Sequence, residues 1–591
     1  MKWAIDDPAR FLRERSEIEC LESQVDWLTT VWSIADGGLI AVDLDFAVHG
    51  RIFAGRMTYP DMFPHSPPYI RPRDASERWS AHQYGDGGSL CLQWRADNWQ
   101  PQITGADMIR SAYELLSNEQ HPEQPRVVPS AHRLTDGQAM RSTRQRFVAT
   151  PELFRAWLAL QLPSVTAFKT AKLYSLGTKL TIVMFVPEVS DAYEVMHKVP
   201  DLPAGISDSA HFFSLAGEGW LFRSDSFNRK ASITSADELI QALTDAGLPT
   251  GNVLVQEEGK YKARMIALLG TEPDSLRTFF VEAGDQPGLS EFTVISPQPA
   301  KVRLPAGHDK LATLRIGIVG MGSIGSKIAI SLARSGVRRF LLVDDDYLAP
   351  GNMDRHELSW AFVGVHKVEA VQEALTLIAP GVQVDTQMTR LAGQESGLTA
   401  ATTLKDLSNC DLLIDATANS EVFLLLTAIA KQYRKPLCWG EVFAGGYGGL
   451  IARARPGFDP NPLAVRDAIH THLATLPPAP YQNAAGYDVE QEQPLLAHDS
   501  DVGFVATALT RLALDTAKQS DLGDFPYSAY LIGMRREWIF EAPFDTRPID
   551  VQGEGWNTGK IAASDEDHHA AVRTLLKFFE EAVSADRDPA A

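Results

Sequence analysis

The sequence predicts a multidomain protein made of an α+β domain, a mixed α/β domain and a Rossmann-like α/β domain. The first observation is length, because 591 residues exceed the roughly 100–200 residues of one domain. The second is a mixture of helical and strand patterns before residue 125. The third is an alternation of strand, glycine-rich turn, helix and strand from Leu314, which is typical of a parallel sheet. We therefore expect domains at residues 1–125, 126–304 and 305–591.

Composition and charge narrow the function classes. Hydrophobic residues make up 45% of the chain and the formal net charge is −20, which fits a folded protein and argues against a general nucleic-acid binder. The four cysteines include no pair at two-residue spacing, so we expect neither structural zinc nor a disulfide framework. The start has no signal-peptide core and no uncharged run reaches about 20 residues, so we expect a cytoplasmic protein without membrane association.

The first 125 residues show local patterns of an α+β unit. A helix is predicted in PARFLRERSEIECLESQ, and strands are predicted around TVWSIA, LIAVDLDF and RIFAGRMTY. A proline-rich segment, YPDMFPHSPPYI, follows, and TGADMIRSAYELLS has apolar residues three or four apart, which predicts a second helix.

The middle part, residues 126–304, is expected to be mixed α/β. Strands are predicted in KLTIVMFVPEV, HFFSLA and YKARMIALL, and a helix in ADELIQALTDAG. We find no motif with a chemical role in this part.

A glycine loop marks the third part. Gly320, Gly322 and Gly325 stand between an apolar strand and a helix, a pattern that turns the backbone tightly and presents N–H groups to a phosphate. The acidic group Asp344 to Asp346 at the end of the next strand fits a ribose contact. A dinucleotide dehydrogenase and a nucleotidyl transferase both remain open at this point.

The continuation DDDYLAPGNMDRHELSWAFVGVHKVEAV favours nucleotidyl transfer. It adds Asn352, Arg355 and Lys367, and cations of this kind stabilise the charge that develops as pyrophosphate leaves. The order of glycine loop, D-x-D, N-x-x-R and G-x-x-K resembles the adenylating domain of ubiquitin-activating enzymes and their ThiF-like bacterial relatives, over about residues 305–450.

The ThiF-like resemblance implies a set of ATP contacts. ATP would lie on Gly320, Gly322 and Gly325, with Asp344 and Asp346 at the ribose. The resemblance places Asn352, Arg355 and Lys367 at the phosphates. In IDATANSEV, Asp415, Thr417 and Asn419 match the family's aspartate-rich strand end, whereas Ala418 replaces its second aspartate. Asp415, or one of Asp344 to Asp346, is then the candidate magnesium ligand.

Cys91 lies in GSLCLQW, and its surroundings resemble the ubiquitin-conjugating fold over about residues 20–120. The resemblance rests on the proline-rich segment, the L-C-L run, a W-x-P at Trp99 and the following helix. It implies that Cys91 is a thioester acceptor, because a thiolate attacks an acyl-adenylate well. His82 matches the family's conserved histidine, but the usual asparagine two residues later is absent. His82 or Asn98 is a candidate substitute, and the remaining cysteines, Cys20, Cys410 and Cys438, are expected to pack in the core.

The order of the parts resembles the fused ligases of bacterial anti-phage operons, notably those of CBASS systems. The resemblance implies that a partner's C-terminal glycine is joined to a lysine amine of a target. The partner would be a ubiquitin-like protein or a cyclic-oligonucleotide synthase, and the adenylating domain would form a homodimer. Two alternatives remain open: an adenylating enzyme whose N-terminal domain only recruits the partner, and a noncatalytic scaffold.

Overall fold

The protein forms two compact units, Met1–Arg141 and Ser142–Ala591, which are described separately. The computed structural model describes residues 2–120, 143–176, 180–191, 193–207, 214–228, 233–295, 304, 308–480, 497–518, 523–553, 555–556 and 564–585. The predicted boundaries at residues 125/126 and 304/305 both involve residues outside these ranges.

The first unit packs helices on an antiparallel sheet. Its strands β1 to β4 follow one another as neighbours in the sheet. The predicted helices and strands are confirmed here. The helices are α1 (Lys2–Asp6), α2 (Pro8–Gln24) and α3 (Gly105–Glu119), and the strands are β1 (Leu28–Ala35), β2 (Leu39–Val48), β3 (Arg51–Thr58) and β4 (Tyr69–Pro72).

A buried carboxylate joins the two long helices of this unit. Glu14 on α2 accepts hydrogen bonds from the Tyr59 hydroxyl (2.8 Å) and from the N–H of Gly105 (2.7 Å), at the start of α3. Arg10 lies 2.8 Å from the same carboxylate, and both side chains are almost fully buried. The ion pair and these two hydrogen bonds fix α2 against α3, because a buried charge needs such partners.

The long segment between β4 and α3 contains Cys91 and is held by backbone contacts. Leu90 donates to the carbonyl of Ile70 (2.8 Å), and Cys91 donates to the carbonyl of His82 (2.6 Å). An antiparallel bridge joins Gln83 to Leu90. The segments 82–84 and 89–91 therefore run side by side.

Among the described residues, the middle region is built on a sheet of eight strands and also contains helices. β5 pairs with both β14 and β7, which closes the sheet on itself. The predicted strands in KLTIVMFVPEV and YKARMIALL and the predicted helix are confirmed, whereas residues 211–213 of HFFSLA lie outside the described residues. The elements are β5 (Gln145–Val148), α4 (Pro151–Leu158), β6 (Ser164–Leu176), β7 (Leu180–Ser190), β8 (Met196–Lys198), α5 (Ala204–Ser207), β9 (Ser214–Arg223), α6 (Ala236–Asp245), β10 (Gln256–Glu257), β11 (Lys260–Tyr261), β12 (Arg264–Leu269), β13 (Arg277–Val281) and β14 (Leu289–Ile295).

The C-terminal region has a second eight-stranded sheet, in the order β17-β16-β15-β18-β19-β20-β21-β22. The strands from β17 to β19 in this order pair parallel. From β19 to β22 the strands pair antiparallel. Its elements are α7 (His308–Thr313), β15 (Arg315–Val319), α8 (Ser323–Arg334), β16 (Arg339–Val343), α9 (Lys367–Ile378), β17 (Gln383–Gln387), α10 (Gly397–Ser408), β18 (Leu412–Asp415), α11 (Ser420–Tyr433), β19 (Leu437–Val442), β20 (Gly448–Ala454), α12 (Pro462–Ala474), α13 (Asp499–Ala517), β21 (Ala529–Gly533), β22 (Thr546–Ile549) and α14 (Asp565–Ala585).

The strand order of this sheet sets the position of a ligand crevice. β15 has β16 on one side and β18 on the other, so the chain direction across the sheet reverses at β15. Val319 and Asp415 are paired at the carboxyl ends of β15 and β18. In open parallel sheets, ligands bind outside the carboxyl ends of the strands at such a reversal.

Candidate active site

The glycine loop lies directly after β15 and has the shape of a phosphate cradle. Gly320 has a φ of 89°, in the left-handed region, and a Cβ on Gly325 would lie 1.8 Å from the Gly320 carbonyl oxygen. A Cβ on Gly322 would meet no atom within 4 Å, so the loop faces open space there. Since α8 begins at the next residue, its N-terminal N–H groups and an open backbone surface lie together, which fits a phosphate.

Two side chains hold the peptide of Met321 within this loop. Asp344 accepts a hydrogen bond from the Met321 N–H (2.6 Å), and its other oxygen accepts from the Asp346 N–H (2.8 Å). His356 lies with Nε2 2.9 Å from the Met321 carbonyl oxygen, while Nδ1 accepts from the Leu358 N–H. Nε2 therefore carries the proton and donates. Burial raises the pKa of Asp344 and lowers the pKa of His356, so the histidine is neutral.

Lys367, predicted at the phosphates, is tied to Asp346. Its ammonium donates to the Asp346 carboxylate, and its backbone N–H donates to the Asp346 carbonyl at 2.9 Å. Lys367 begins α9 and is 8% exposed. The carboxylate after β16 and the cation at the start of α9 thus form one charged pair at the edge of the sheet.

Asn352 ends a short 3₁₀ segment, Pro350–Asn352, and Arg355 lies in the turn that follows it. The Asn352 side-chain oxygen accepts from the Ala349 N–H (3.0 Å), and the Arg355 N–H donates to the Asn352 carbonyl (3.1 Å). This local bonding orders the segment between β16 and α9, in which Arg355 is half-buried.

Asp415 ends β18 and is nearly fully buried. One of its carboxylate oxygens accepts from both the N–H (2.9 Å) and the hydroxyl (2.7 Å) of Thr417. Burial raises the pKa of this carboxyl. Ala418 follows with a φ of 52°, a left-handed conformation that aspartate adopts more readily than alanine. Asn419 then caps α11 by accepting from the N–H groups of Glu421 and Val422.

A cleft opens beside Asp415, at the carboxyl ends of β18 and β19. Glu441 lines this cleft and is partly open to solvent. Protein atoms around its carboxyl group raise the pKa of Glu441, and the charges of His470 and Arg466 oppose that rise. The Arg466 guanidinium lies over the Phe423 ring at 4.6 Å. The cleft therefore combines charged groups with an apolar floor; its lining also includes Ala418, Asn419, Ser420, Trp439, Gly440, Leu450, Ile469 and Leu473.

Cys91 lies in the first unit, half-buried and in a polar environment. The Arg95 Nη1 is 3.5 Å from its Sγ, and the Tyr84 hydroxyl is 3.8 Å from the same atom. His82 contacts Cys91 through its backbone carbonyl. Asn98 is used in a turn, where its side chain donates to the Gln93 carbonyl (2.8 Å) and accepts from the Arg95 N–H (2.7 Å).

The other three cysteines differ from one another. Cys410 and Cys438 are fully buried, and burial raises the pKa of each thiol to about 12, which confirms their predicted packing role. The prediction for Cys20 is wrong, because this thiol is exposed. The buried face of α2 carries Ile18 and Leu21. Cys20 follows Ile18 by two residues, or about 200° around the helix axis, and so lies on the opposite side from Ile18.

The described part of the chain contains no preformed cluster of metal ligands. No group of three or more histidine, cysteine or acidic side chains there is arranged to hold a metal. A single buried carboxylate such as Asp415 still fits magnesium, which binds through one or two carboxylates together with substrate phosphates.

No described helix is both long and apolar enough to cross a bilayer.

Residues 298–467 match the model of the ThiF family. The C-terminal region contains a ThiF-family adenylation domain. This confirms the predicted adenylating fold there.

Curated relatives of the ThiF-family domain include activating enzymes. The ubiquitin-like modifier-activating enzyme 5 of Drosophila pseudoobscura pseudoobscura is 26% identical over 207 residues, which cover 33% of this chain and 52% of that protein. The sulfur carrier protein ThiS adenylyltransferase of Escherichia coli (strain K12) is 28% identical over 155 residues, 26% of this chain and 58% of that protein. The chain thus spans between half and two thirds of the length of these two relatives.

Similarity beyond the ThiF-family domain comes from an uncharacterized protein, y4qC of Sinorhizobium fredii (strain NBRC 101917 / NGR234). It is 22% identical over 519 residues, which cover 82% of this chain and 85% of that protein. Among solved structures, the crystal structure of E. coli MccB with AMPCPP and MccA is 16% identical, with a TM-score of 0.30, and covers 42% of this chain and 66% of that chain.

The structure brings together most of the predicted residues of the ThiF-family domain. The glycine loop, Asp344 and Asp415 lie at the carboxyl ends of neighbouring strands, and Lys367 pairs with Asp346. The sequence reasoning did not find His356, although a histidine directly after the N-x-x-R motif is visible in the sequence. It also did not find the cleft residues Arg466 and His470, which are distant in sequence and carry no motif.

Proposed function

We propose that this chain is an ATP-dependent protein ligase that activates the C-terminal glycine of a partner, carries it on Cys91 and joins it to a lysine amine. The ThiF-family domain supports the activation step. The observation that carries the rest is the environment of Cys91. Its Sγ contacts two polar donors, whereas Cys410 and Cys438 are sealed in the core.

In the activation step, the residues around the glycine loop hold ATP. Gly320, Gly322 and Gly325 form the phosphate cradle, and Asp344 and Asp346 lie where the next strand ends. Lys367, with Asn352 and Arg355 before it, supplies side chains for the phosphates, and Asp415 is the carboxylate for magnesium. ATP would supply the adenylyl group: the partner's carboxylate forms a mixed anhydride with AMP, and pyrophosphate leaves as the bond between the α- and β-phosphates breaks.

The partner's C-terminal tail would occupy the cleft beside Asp415. The cleft is open, apolar at Trp439 and Phe423, and carries Arg466 and His470, which suit a terminal carboxylate before activation. Glu441 at the same edge suits a backbone N–H of the tail. The tail would then cross the carboxyl end of β18, so that its carboxylate points toward the glycine loop after β15.

Transfer to Cys91 proceeds without an intermediate thioester on another cysteine of the described chain. Cys438 is the notable candidate for such an intermediate, but it is fully buried and its thiol donates to the Thr516 hydroxyl (3.6 Å). We expect Cys438→Ala to leave the charging of Cys91 intact. Loss of charging in that variant, with its fold retained by circular dichroism, would point to a two-thiol relay.

The partner is a protein with a C-terminal glycine, either ubiquitin-like or a cyclic-oligonucleotide synthase, and the targets present lysines. We place this reaction in bacterial anti-phage defence, in the cytoplasm, with a homodimer formed through the ThiF-family domain. A monomer mass by light scattering at micromolar concentration would exclude the dimer.

The decisive experiment is intact-protein mass spectrometry of the chain mixed with MgATP and a partner encoded by a neighbouring gene. Wild type is expected to carry a thiol-sensitive adduct of the partner's mass, and Cys91→Ala is expected to lack it. If both proteins release only AMP and free partner, the first unit is a recruitment module. The absence of ATP-pyrophosphate exchange with every neighbour-encoded partner would indicate a noncatalytic scaffold.

A further inference from the structure

The sequence around Cys91 resembles the ubiquitin-conjugating fold but lacks that family's usual asparagine. Two other hydrogen-bond donors nevertheless lie next to the Cys91 sulfur. The Tyr84 hydroxyl lies 3.8 Å and the Arg95 guanidinium 3.5 Å from Sγ. Both distances lie within the range of hydrogen bonds to sulfur. Neither residue was singled out by the sequence.

The backbone fixes both donors. Segments 82–84 and 89–91 pair as antiparallel chains, through the Tyr84 N–H to the Ser89 carbonyl (3.0 Å) and the Cys91 N–H to the His82 carbonyl (2.6 Å). This pairing puts Tyr84 beside Cys91 although they are seven positions apart in the sequence. Arg95 is held by the turn that Asn98 closes, and its guanidinium also meets the Asp97 carboxylate at 3.5 Å.

We propose that Tyr84 and Arg95 are catalytic residues of acyl transfer at Cys91, in the place of the missing asparagine. This inference rests on the proposed function. When an amine attacks the thioester, a C–N bond forms and negative charge develops on the carbonyl oxygen, to which Tyr84 or Arg95 donates. The C–S bond then breaks, Arg95 stabilises the leaving thiolate, and the amine's proton passes to water.

The protonation state of Tyr84 suits this role. The contact with Cys91, together with partial burial, raises the pKa of the phenol above its ordinary value. Tyr84 therefore keeps its proton at neutral pH and acts as a donor. Its side chain is 65% exposed, so a substitution there removes the hydroxyl without disturbing the core.

The test uses a probe that needs neither ATP nor the partner. The full chain is loaded by thiol exchange with the mercaptoethanesulfonate thioester of a short peptide that ends in glycine. Free lysine is added, and peptide-resolved mass spectrometry follows the loss of the acyl group at Cys91. The exposed Cys20 is the internal reference on the same molecule; its Sγ accepts from the neutral Gln24 amide (3.1 Å), and neither a guanidinium nor a phenol is described beside it.

In wild type, Cys91 is expected to discharge about tenfold faster than Cys20, and Tyr84→Phe or Arg95→Gln should bring its rate down to that of Cys20. Tyr69→Phe and Arg110→Gln are matched controls, because both are exposed residues of the same unit and neither side chain is described as a hydrogen-bond partner of the Cys91 sulfur. These controls should leave both rates unchanged. Equal loading of Cys91 in all variants would show that only the discharge step has changed.

Two outcomes would overturn the inference. One is a wild-type Cys91 that discharges at the rate of Cys20, and the other is an unchanged Cys91 rate in both Tyr84→Phe and Arg95→Gln. Because the probe bypasses activation, these outcomes do not depend on whether the ThiF-family domain charges Cys91. Failure of charging with MgATP and partner would instead count against the proposed function alone.

Discussion

A carboxylate oxygen of Asp344 accepts a 2.6 Å hydrogen bond from the backbone N–H of Met321, which joins the end of β16 to the glycine loop. The second oxygen accepts from the Asp346 N–H, so both acceptors are in use. The loop between Gly320 and Gly322 is therefore held from outside by a side chain of another strand.

We predict that Asp344→Asn weakens ATP binding at least about tenfold, because asparagine offers one acceptor oxygen where two N–H groups need acceptors. Isothermal titration with ATP measures the change. Asp385→Asn is the matched control, since Asp385 is an exposed carboxylate on β17 of the same sheet. An unchanged affinity in Asp344→Asn would show that the loop keeps its shape without this bond.

Ala418→Asp is expected to increase ATP-pyrophosphate exchange severalfold. The backbone at Ala418 is already left-handed, and the residue lines the cleft beside Asp415, so a second carboxylate would add a magnesium ligand there. The exchange assay, with magnesium varied, measures the effect. Ala392→Asp is the control for the backbone, because Ala392 is exposed and also left-handed, with a φ of 63°. A lower exchange rate in Ala418→Asp would mean that the added charge is misplaced.

Glu14→Ala is expected to destabilise the first unit by about 3–5 kcal/mol, because it leaves the buried Arg10 charge without its carboxylate. Glu19→Ala on the same helix should cost at most about 1 kcal/mol, since its ion pair with Arg15 is exposed. Urea unfolding of both variants, followed by tryptophan fluorescence, gives the comparison. Similar losses in the two variants would contradict the assigned role of Glu14.

We predict that Tyr59 makes the free energy of unfolding of the first unit fall at alkaline pH. Tyr59 is fully buried, and burial together with Glu14 raises the pKa of its phenol well above the ordinary value. Since the native pKa exceeds the unfolded one, this stability is complete below pH about 10 and falls by up to about 1.4 kcal/mol per pH unit above it. Unfolding measured from neutral to alkaline pH should show a smaller fall for Tyr59→Phe. Parallel curves for the two proteins would argue against this assignment.

The sequence predicts helices well where apolar residues recur at the helical period over a continuous stretch. In α2 the buried positions follow the helical period, so the helix is predicted from Pro8 to Gln24 and found there. The same helix shows the limit, because Cys20 was assigned to the core by residue type rather than by its position on the helix. Strands β13 and β14 were missed, since short apolar runs lack a distinctive period.

The candidate site was predictable only where a motif marks it. The glycine loop constrains three positions within six residues, so its geometry follows from the sequence. Arg466 reaches the cleft from α12, and Tyr84 reaches Cys91 through a backbone pairing; both contacts arise from tertiary folding. Such contacts leave no pattern in the local sequence. The predicted sets of residues around the cleft and around Cys91 were therefore incomplete.

The closed sheet of the middle region has a consequence for the time course of folding. Its first strand, β5, pairs with its last, β14, so closure must wait until nearly the whole region has been synthesised and brought together. Pairing between strands so distant along the chain forms slowly. The first unit has its own sheet and its own hydrophobic cluster, both formed by residues before 120, so it can fold while the ribosome still makes the rest. We therefore expect the Cys91 unit to mature before the middle sheet closes.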